Sequence, residues 1–220
     1  MKKAIFLTFG LSILLSTTAR FLFDTLHLPP HQMQMAQGLF RCLYMWIPGI
    51  VALIVAKRGK VSLPLFSKAY SSLGLAFLIP TLIVAMTLLT TSLFTPVGVT
   101  QTLRMALNGG GASPWLNLST LFCLIVGVSF TFNAAFALGE ELMWRGYLLE
   151  KLKGFSLTKQ SIAIGALWGV WHAPLIVLFG HNYPHNPMLG CLMMIVFCIL
   201  MTPIMIKLKK RSQSLYVASV

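Results

Sequence analysis

The sequence predicts an all-α, polytopic transmembrane helical bundle, and three observations predict it. Apolar residues make up 57% of the chain and charged residues only 10%, with a mean hydropathy of +0.82; a soluble domain has no interior large enough to hide that much apolar surface. The apolar residues are gathered into runs of about 18 or more, the length that crosses a ~30 Å hydrocarbon core at 1.5 Å per residue. The basic residues stand in short clusters between those runs, which is the pattern of membrane-side anchors. The net charge of +13 therefore reads as topology and not as nucleic-acid binding, for which no basic face with interleaved aromatics is present.

Lys2 and Lys3 precede a first span over residues 4–23. Arg20 and a further apolar triplet stand where a signal peptide would show a small-residue cleavage site, so this span reads as uncleaved. The stretch DTLHLPPHQMQMAQG, with Pro29 and Pro30, reads as a polar connection to a second span, 39–56, which ends at the basic KRGK. A third span covers 73–94. The connection from Thr95 to Asn117 carries three glycines at 109–111 and Pro114, both loop signals; it leads into a fourth span, 118–138, that continues to 153. Gly154 reads as a helix stop and Ser156 or Thr158 as the next N-cap, which makes the flanking helices antiparallel neighbours. Spans 162–179 and 188–206 follow, separated by the polar turn HNYPHNP, and SLYVASV begins an incomplete span from 213. The expected architecture is six spans plus the start of a seventh in a single membrane domain, 1–220. Cys42, Cys123, Cys191 and Cys198 all lie within apolar runs without a C-x-x-C pair, and read as core-facing free thiols.

Orientation follows from Lys and Arg in alternate connections. One side receives Lys2, Lys3, Lys57, Arg58, Lys60, Lys68, Arg145, Lys151, Lys153, Lys159, Lys207, Lys209, Lys210 and Arg211; the other receives only Arg20, Arg41 and Arg104. This asymmetry puts the amino terminus in the cytoplasm, and the short loops suggest a bacterial cell membrane.

The chain is organised around GEELMWRGYLLEKLK, residues 139–153. It has only four acidic residues, and Glu140, Glu141 and Glu150 all fall in this stretch. An ionisable side chain at membrane depth costs a few kcal/mol (roughly 2.5 to 3.5), so it is usually paired, turned inward and functional. On a helix Glu141 and Arg145 are four apart with the acid first, the favourable direction for an ion pair. Glu140 points about 100° away, on the face of Trp144, and is left free to act as a general base toward water. The same residues also fit a buried ion pair that only locks helices together. Trp168 and His172 form a second same-face pair on the 162–179 span, with Pro174 just beyond. Thirteen residues separate Glu140 from Lys153, and thirteen separate Lys159 from His172; on antiparallel helices both side chains then lie ~20 Å above the basic loop. Relative rotation is not fixed by this count, and 118–153 is too long for one straight span, so a break near Gly139 or Asn133 would lower Glu140 toward the surface. His181 and His185, in the polar turn, read as loop residues and not as ligands.

These two motifs resemble those of the CAAX-protease and bacteriocin-processing (CPBP, or Abi) intramembrane proteases. The family's E-E-x-x-x-R matches Glu140, Glu141 and Arg145, and its aromatic with histidine four later matches Trp168 and His172, although phenylalanine is the more usual aromatic. The similarity runs from about Leu118 to the last residue. It implies an all-helical membrane bundle that hydrolyses a peptide bond of a membrane-associated substrate, prenylated or of bacteriocin type. By the same resemblance Glu140 and His172 activate the water and Glu141 and Arg145 hold the geometry; Trp144 and Trp168, which share faces with Glu140 and His172, are expected to line the substrate pocket. The family pattern continues with a histidine and, four later, an asparagine on the next span; KLKKRSQSLYVASV looks like the approach to it, and the expectation is a fragment, a natural truncation or a degenerate member. A zinc site normally takes three protein ligands, and Glu140 with His172 supply two, so zinc and a metal-free glutamate-activated water both stay open. Two further readings fit the same residues: an inactive relative that binds a hydrophobic peptide or partner protein, and a small transporter using Glu140 and His172 as a proton relay. Substrate identity and oligomeric state are not written in the motifs.

Overall fold

The computed structural model describes residues 1–66, 72–94, 123 and 126–219, and every regular element among them is helical. The connection expected over 95–117, the start of the fourth span, Lys68 and Arg104 lie outside the described residues. Helix α1 is Lys2–Thr25. Helices α2, Pro30–Tyr44, and α3, Trp46–Gly59, run on from one another through a turn at Met45 and together are long and apolar enough to cross a membrane. Helix α4 is Leu73–Phe94. Helix α5, over 129–151, is composite: a π-helical segment Ser129–Asn133, an α-helical segment Ala134–Glu141, a second π segment Leu142–Leu148 and a last turn Leu149–Lys151. Helices α6, Leu157–Trp171, and α7, Ala173–Phe179, meet at His172. Helix α8 is Pro187–Ser212 and α9 is Leu215–Ser219.

Four of these units can span a bilayer by length and composition: Lys2–Thr25, Pro30–Gly59, Leu157–Phe179 and Pro187–Ser212. Their large side chains point outward in a way no water-soluble fold tolerates, with Phe6 and Met188 each 78% exposed. The chain is an integral membrane protein, and the bilayer covers those faces. Among the described residues four units meet this test, and the fourth of the expected spans begins outside those residues.

Several boundaries differ from the sequence expectation for local reasons. The polar stretch after Pro29 is not a loop: Pro30 sits at the first helical position, where its fixed φ and missing N–H suit a helix start, and Gln, Met and Ala then propagate the helix well. Helix α5 does not break at Asn133 or Gly139; it absorbs the irregularity as π turns on either side of Ala134–Glu141. It stops at Lys151, before Gly154, and Ser156 caps α6 through its Oγ, which accepts from Lys159 N at 3.4 Å. Of the cysteines, Cys198 is buried while Cys123 is exposed.

Small residues bring the helices together, since association within lipid relies on close van der Waals approach. Helix α1 buries Ala4, Thr8, Ser12, Ser16 and Ala19 along one side. On α6, Gly165 and Gly169 lie against α8: a Cβ added at either would stand 2.5 Å from the Cα of Ile199 or Ile195. Gly139 of α5 meets α3 in the same way, its ideal Cβ position lying 2.5 Å from Met45 O and 2.9 Å from Trp46 Cα. The two helices that carry the organising motifs are thus each held backbone to backbone against a neighbour.

Candidate active site

Glu140 and Glu141 end the α segment of α5, and the second π segment begins with the next residue. A π turn inside an α-helix shifts the angular order of the side chains and is frequent at functional sites. Glu141 still meets Arg145, with Arg145 Nη1 donating to Oε1 at 2.8 Å and both side chains almost fully buried. The guanidinium also stacks over the Trp168 ring, its Cζ 4.0 Å from the ring centroid, and Nη2 reaches Met205 Sδ. Glu140 is separate from this pair: its Oε2 accepts from Trp168 Nε1 at 2.5 Å.

Trp168 and His172 lie at the end of α6, where the helix gives way to α7. Pro174 has no N–H to offer the preceding turn, and His172 N bonds to Gly169 O in place of a regular helical partner. The Trp168 carbonyl accepts instead from the imidazole, His172 Nδ1 lying 2.8 Å away. A carbonyl oxygen can only accept, so Nδ1 carries the proton and Nε2 presents a lone pair. The ring is held on its other edge by Trp171, with centroids 4.9 Å apart. Trp171 is in turn fixed by three elements: Tyr44 Oη donates to its carbonyl at 2.9 Å, its Nε1 donates to Ser12 Oγ at 2.8 Å, and it packs on Trp144.

Glu140, Glu141, Trp168 and His172 line one cavity of about 250 Å³. Its other walls are apolar apart from Ser219 and come mainly from α4 (Ala76, Ile79, Pro80), from α8 (Met201, Ile204, Met205, Leu208) and from α9 (Val217 to Ser219). Glu140 and His172, expected at one level from the residue count, both line this cavity. Trp144 is not on it. It is buried in the core against Trp171, because the π turns after Glu141 rotate it off the face of Glu140. Sequence reasoning missed the role of the Trp168 indole N–H as the donor to Glu140; the tryptophan standing where phenylalanine is more usual was the signal available. His181 and His185 lie in the turn between α7 and α8, where burial, and after it the Arg41 charge, hold the His181 imidazole below its ordinary range.

Among the described residues no three His, Cys, Asp or Glu side chains gather where they could hold a metal ion. Glu140 and His172 do not by themselves fit the three-ligand pattern of a zinc site.

Fold and site together define an integral membrane protein that presents a carboxylate and an imidazole to a largely apolar cavity inside its bundle. Comparison with known proteins narrows that class. The family described as type II CAAX prenyl endopeptidase Rce1-like matches residues 114–220, a segment that holds Glu140, Glu141, Arg145, Trp168 and His172; over this segment the chain is similar to the Rce1-like family. A curated relative, CAAX prenyl protease 2 of Methanococcus maripaludis, is 42% identical over 57 residues, which is 26% of this chain and 18% of the relative's length. No solved structure matches the chain.

Proposed function

We propose that this protein is an intramembrane endopeptidase of CAAX type, hydrolysing a peptide bond near the carboxyl end of a membrane-anchored, prenylated substrate. The observation that carries the reading is that Glu140 and His172 line the same cavity, with the neighbouring carboxylate of Glu141 already neutralised by Arg145. The amino terminus is proposed to face the cytoplasm, as the basic clusters favour, within one membrane domain.

Both groups act as acceptors toward water. The Glu140 carboxylate has one oxygen engaged by Trp168 and the other free of that bond, and His172 offers its Nε2 lone pair. A single water gripped through both hydrogens turns its oxygen lone pair toward a carbonyl carbon held in the cavity. As the C–O bond forms, the water proton passes to Glu140. The tetrahedral intermediate then collapses with cleavage of the C–N bond, and Glu140 returns the proton to the leaving amine. General base catalysis of this kind contributes about 10²–10⁴-fold. The apolar walls from α4 and α8 suit an alkyl or prenyl chain beside the scissile bond.

The test is cleavage of a farnesylated peptide carrying a fluorophore and quencher across the bond, using the full chain in proteoliposomes. E140A and H172A should each lower turnover by at least about 10²-fold while leaving the protein folded. Undiminished turnover in E140A sinks the reading.

A further inference from the structure

We propose that Trp168 is a positioning residue for the Glu140 base in this chain, acting through its indole N–H, a role that rests on the hydrolytic reading. Three contacts meet on this residue. Its Nε1 donates to Glu140 Oε2 at 2.5 Å, its ring face covers the Arg145 guanidinium at 4.0 Å, and its carbonyl accepts from His172 Nδ1 at 2.8 Å. Both members of the pair proposed to hold the water are thus oriented by one residue, Glu140 through the side chain and His172 through the main chain.

The indole N–H is the donor that engages Glu140 in this chain. Tryptophan is a donor only, through Nε1, and a carboxylate so engaged has one oxygen fixed and the other directed away from the donor. Without that bond the carboxylate can turn about its own side-chain torsions, and the free oxygen loses its register with His172. The neighbouring cation makes no hydrogen bond to Glu140: Arg145 Nη1 is committed to Glu141 and Nη2 to Met205, and its buried Nε has no partner. Trp168 itself has little freedom, since the glycines on either side of it, Gly165 and Gly169, seat α6 directly on the α8 backbone. Phenylalanine at 168 keeps an aromatic face for Arg145 and keeps the carbonyl for His172. It deletes the donor to Glu140 together with part of the ring that lines the cavity, so W168F is paired with an isostere that keeps the bicyclic shape and lacks the N–H.

Two measurements on the full chain decide the proposal. In the farnesylated-peptide assay, W168F should lower kcat by about 10- to 100-fold, the range of a lost hydrogen bond to a charged group. In the shape-preserving isostere KM should stay within about twofold, because the apolar walls from α4 and α8 and the bicyclic ring are kept. Replacing Trp168 with 3-benzothienylalanine, which has a sulfur in place of the N–H, should reproduce W168F. An unchanged kcat in both variants, or a change confined to KM, overturns the proposal. The second readout needs no turnover: the indole ¹⁵N–¹H resonance of Trp168, assigned by its disappearance in W168F, should lie downfield and move upfield in E140A. A resonance unmoved by E140A likewise overturns it. Should the wild-type chain cleave no prenylated peptide, the hydrolase reading fails by itself, and the indole resonance alone decides whether Trp168 holds Glu140.

Discussion

Replacing Gly139 with alanine should damage the site without touching any group that takes part in it. Gly139 precedes Glu140 directly, and its ideal Cβ position lies 2.5 Å from the Met45 carbonyl oxygen, where ordinary contact begins at 3.4 Å. The obstacle is backbone on both sides, because the same Cβ would sit 2.9 Å from Trp46 Cα, and no side chain can swing away to make room. Helices α3 and α5 must then separate locally by about 0.9 Å, at the 1–3 kcal/mol typical of overpacking. Glu140 moves with the backbone that carries it, and a displacement near 1 Å at a reacting group costs on the order of 10²-fold in rate. The assay pairs thermal unfolding of purified protein in detergent with turnover of the farnesylated peptide in proteoliposomes. G139A should melt several degrees lower and lose about two orders of magnitude in kcat. G154A serves as control, since nothing lies within 4 Å of a Cβ there. A G139A protein as stable and as active as G154A would refute the close crossing and its consequence for Glu140.

Further expectations follow from the same contacts. R145M leaves Glu141 charged and unpaired in the core and should cost about 3–5 kcal/mol, whereas E141L/R145M, which removes both charges, should recover much of that stability; denaturant or thermal melts of the three proteins check the order. S12A removes the acceptor of the Trp171 indole and should cost about 1–3 kcal/mol, the penalty of a buried unpaired donor, read as a lower melting temperature. At the turn between α7 and α8, His181 has its imidazole held low by burial and then by Arg41. The unfolded chain therefore takes up the proton first as pH falls through about 6.5, and the fold loses stability on acidification. H181N should flatten the melting temperature between pH 7 and pH 5, and an unchanged slope would assign the loss to other groups.

The sequence made parts of this site legible because some of its geometry is local. The Glu141–Arg145 pair needs only four residues of helix and two long side chains, and those side chains still reach one another across the π turns that intervene. Helix existence was equally local, as in α4, whose bounds Leu73 and Phe94 match the apolar run. What the spacing could not carry was rotation between helices. Equal counts from Lys153 and Lys159 put Glu140 and His172 at one level, but whether they share a wall depends on which faces of α5 and α6 turn inward, and that is set by glycine contacts with α3 and α8. Trp144 shows the limit within one helix: its place on the face of Glu140 follows only if every turn is α-helical, and the π segment Leu142–Leu148 carries it into the core. The indole–carboxylate bond of Trp168 was invisible for the same reason, since it joins residues 28 positions apart on different helices.

The most direct measurement of the central claim is hydrolysis of a farnesylated peptide by the full-length chain in H₂¹⁸O, with products weighed by mass spectrometry. Water activated by Glu140 and His172 predicts one ¹⁸O atom in the new carboxylate of the prenylated product, released at a rate that falls by at least about 10²-fold in E140A and in H172A. Cleavage that proceeds at the wild-type rate in E140A, or a wild-type chain that leaves the peptide intact, would contradict it.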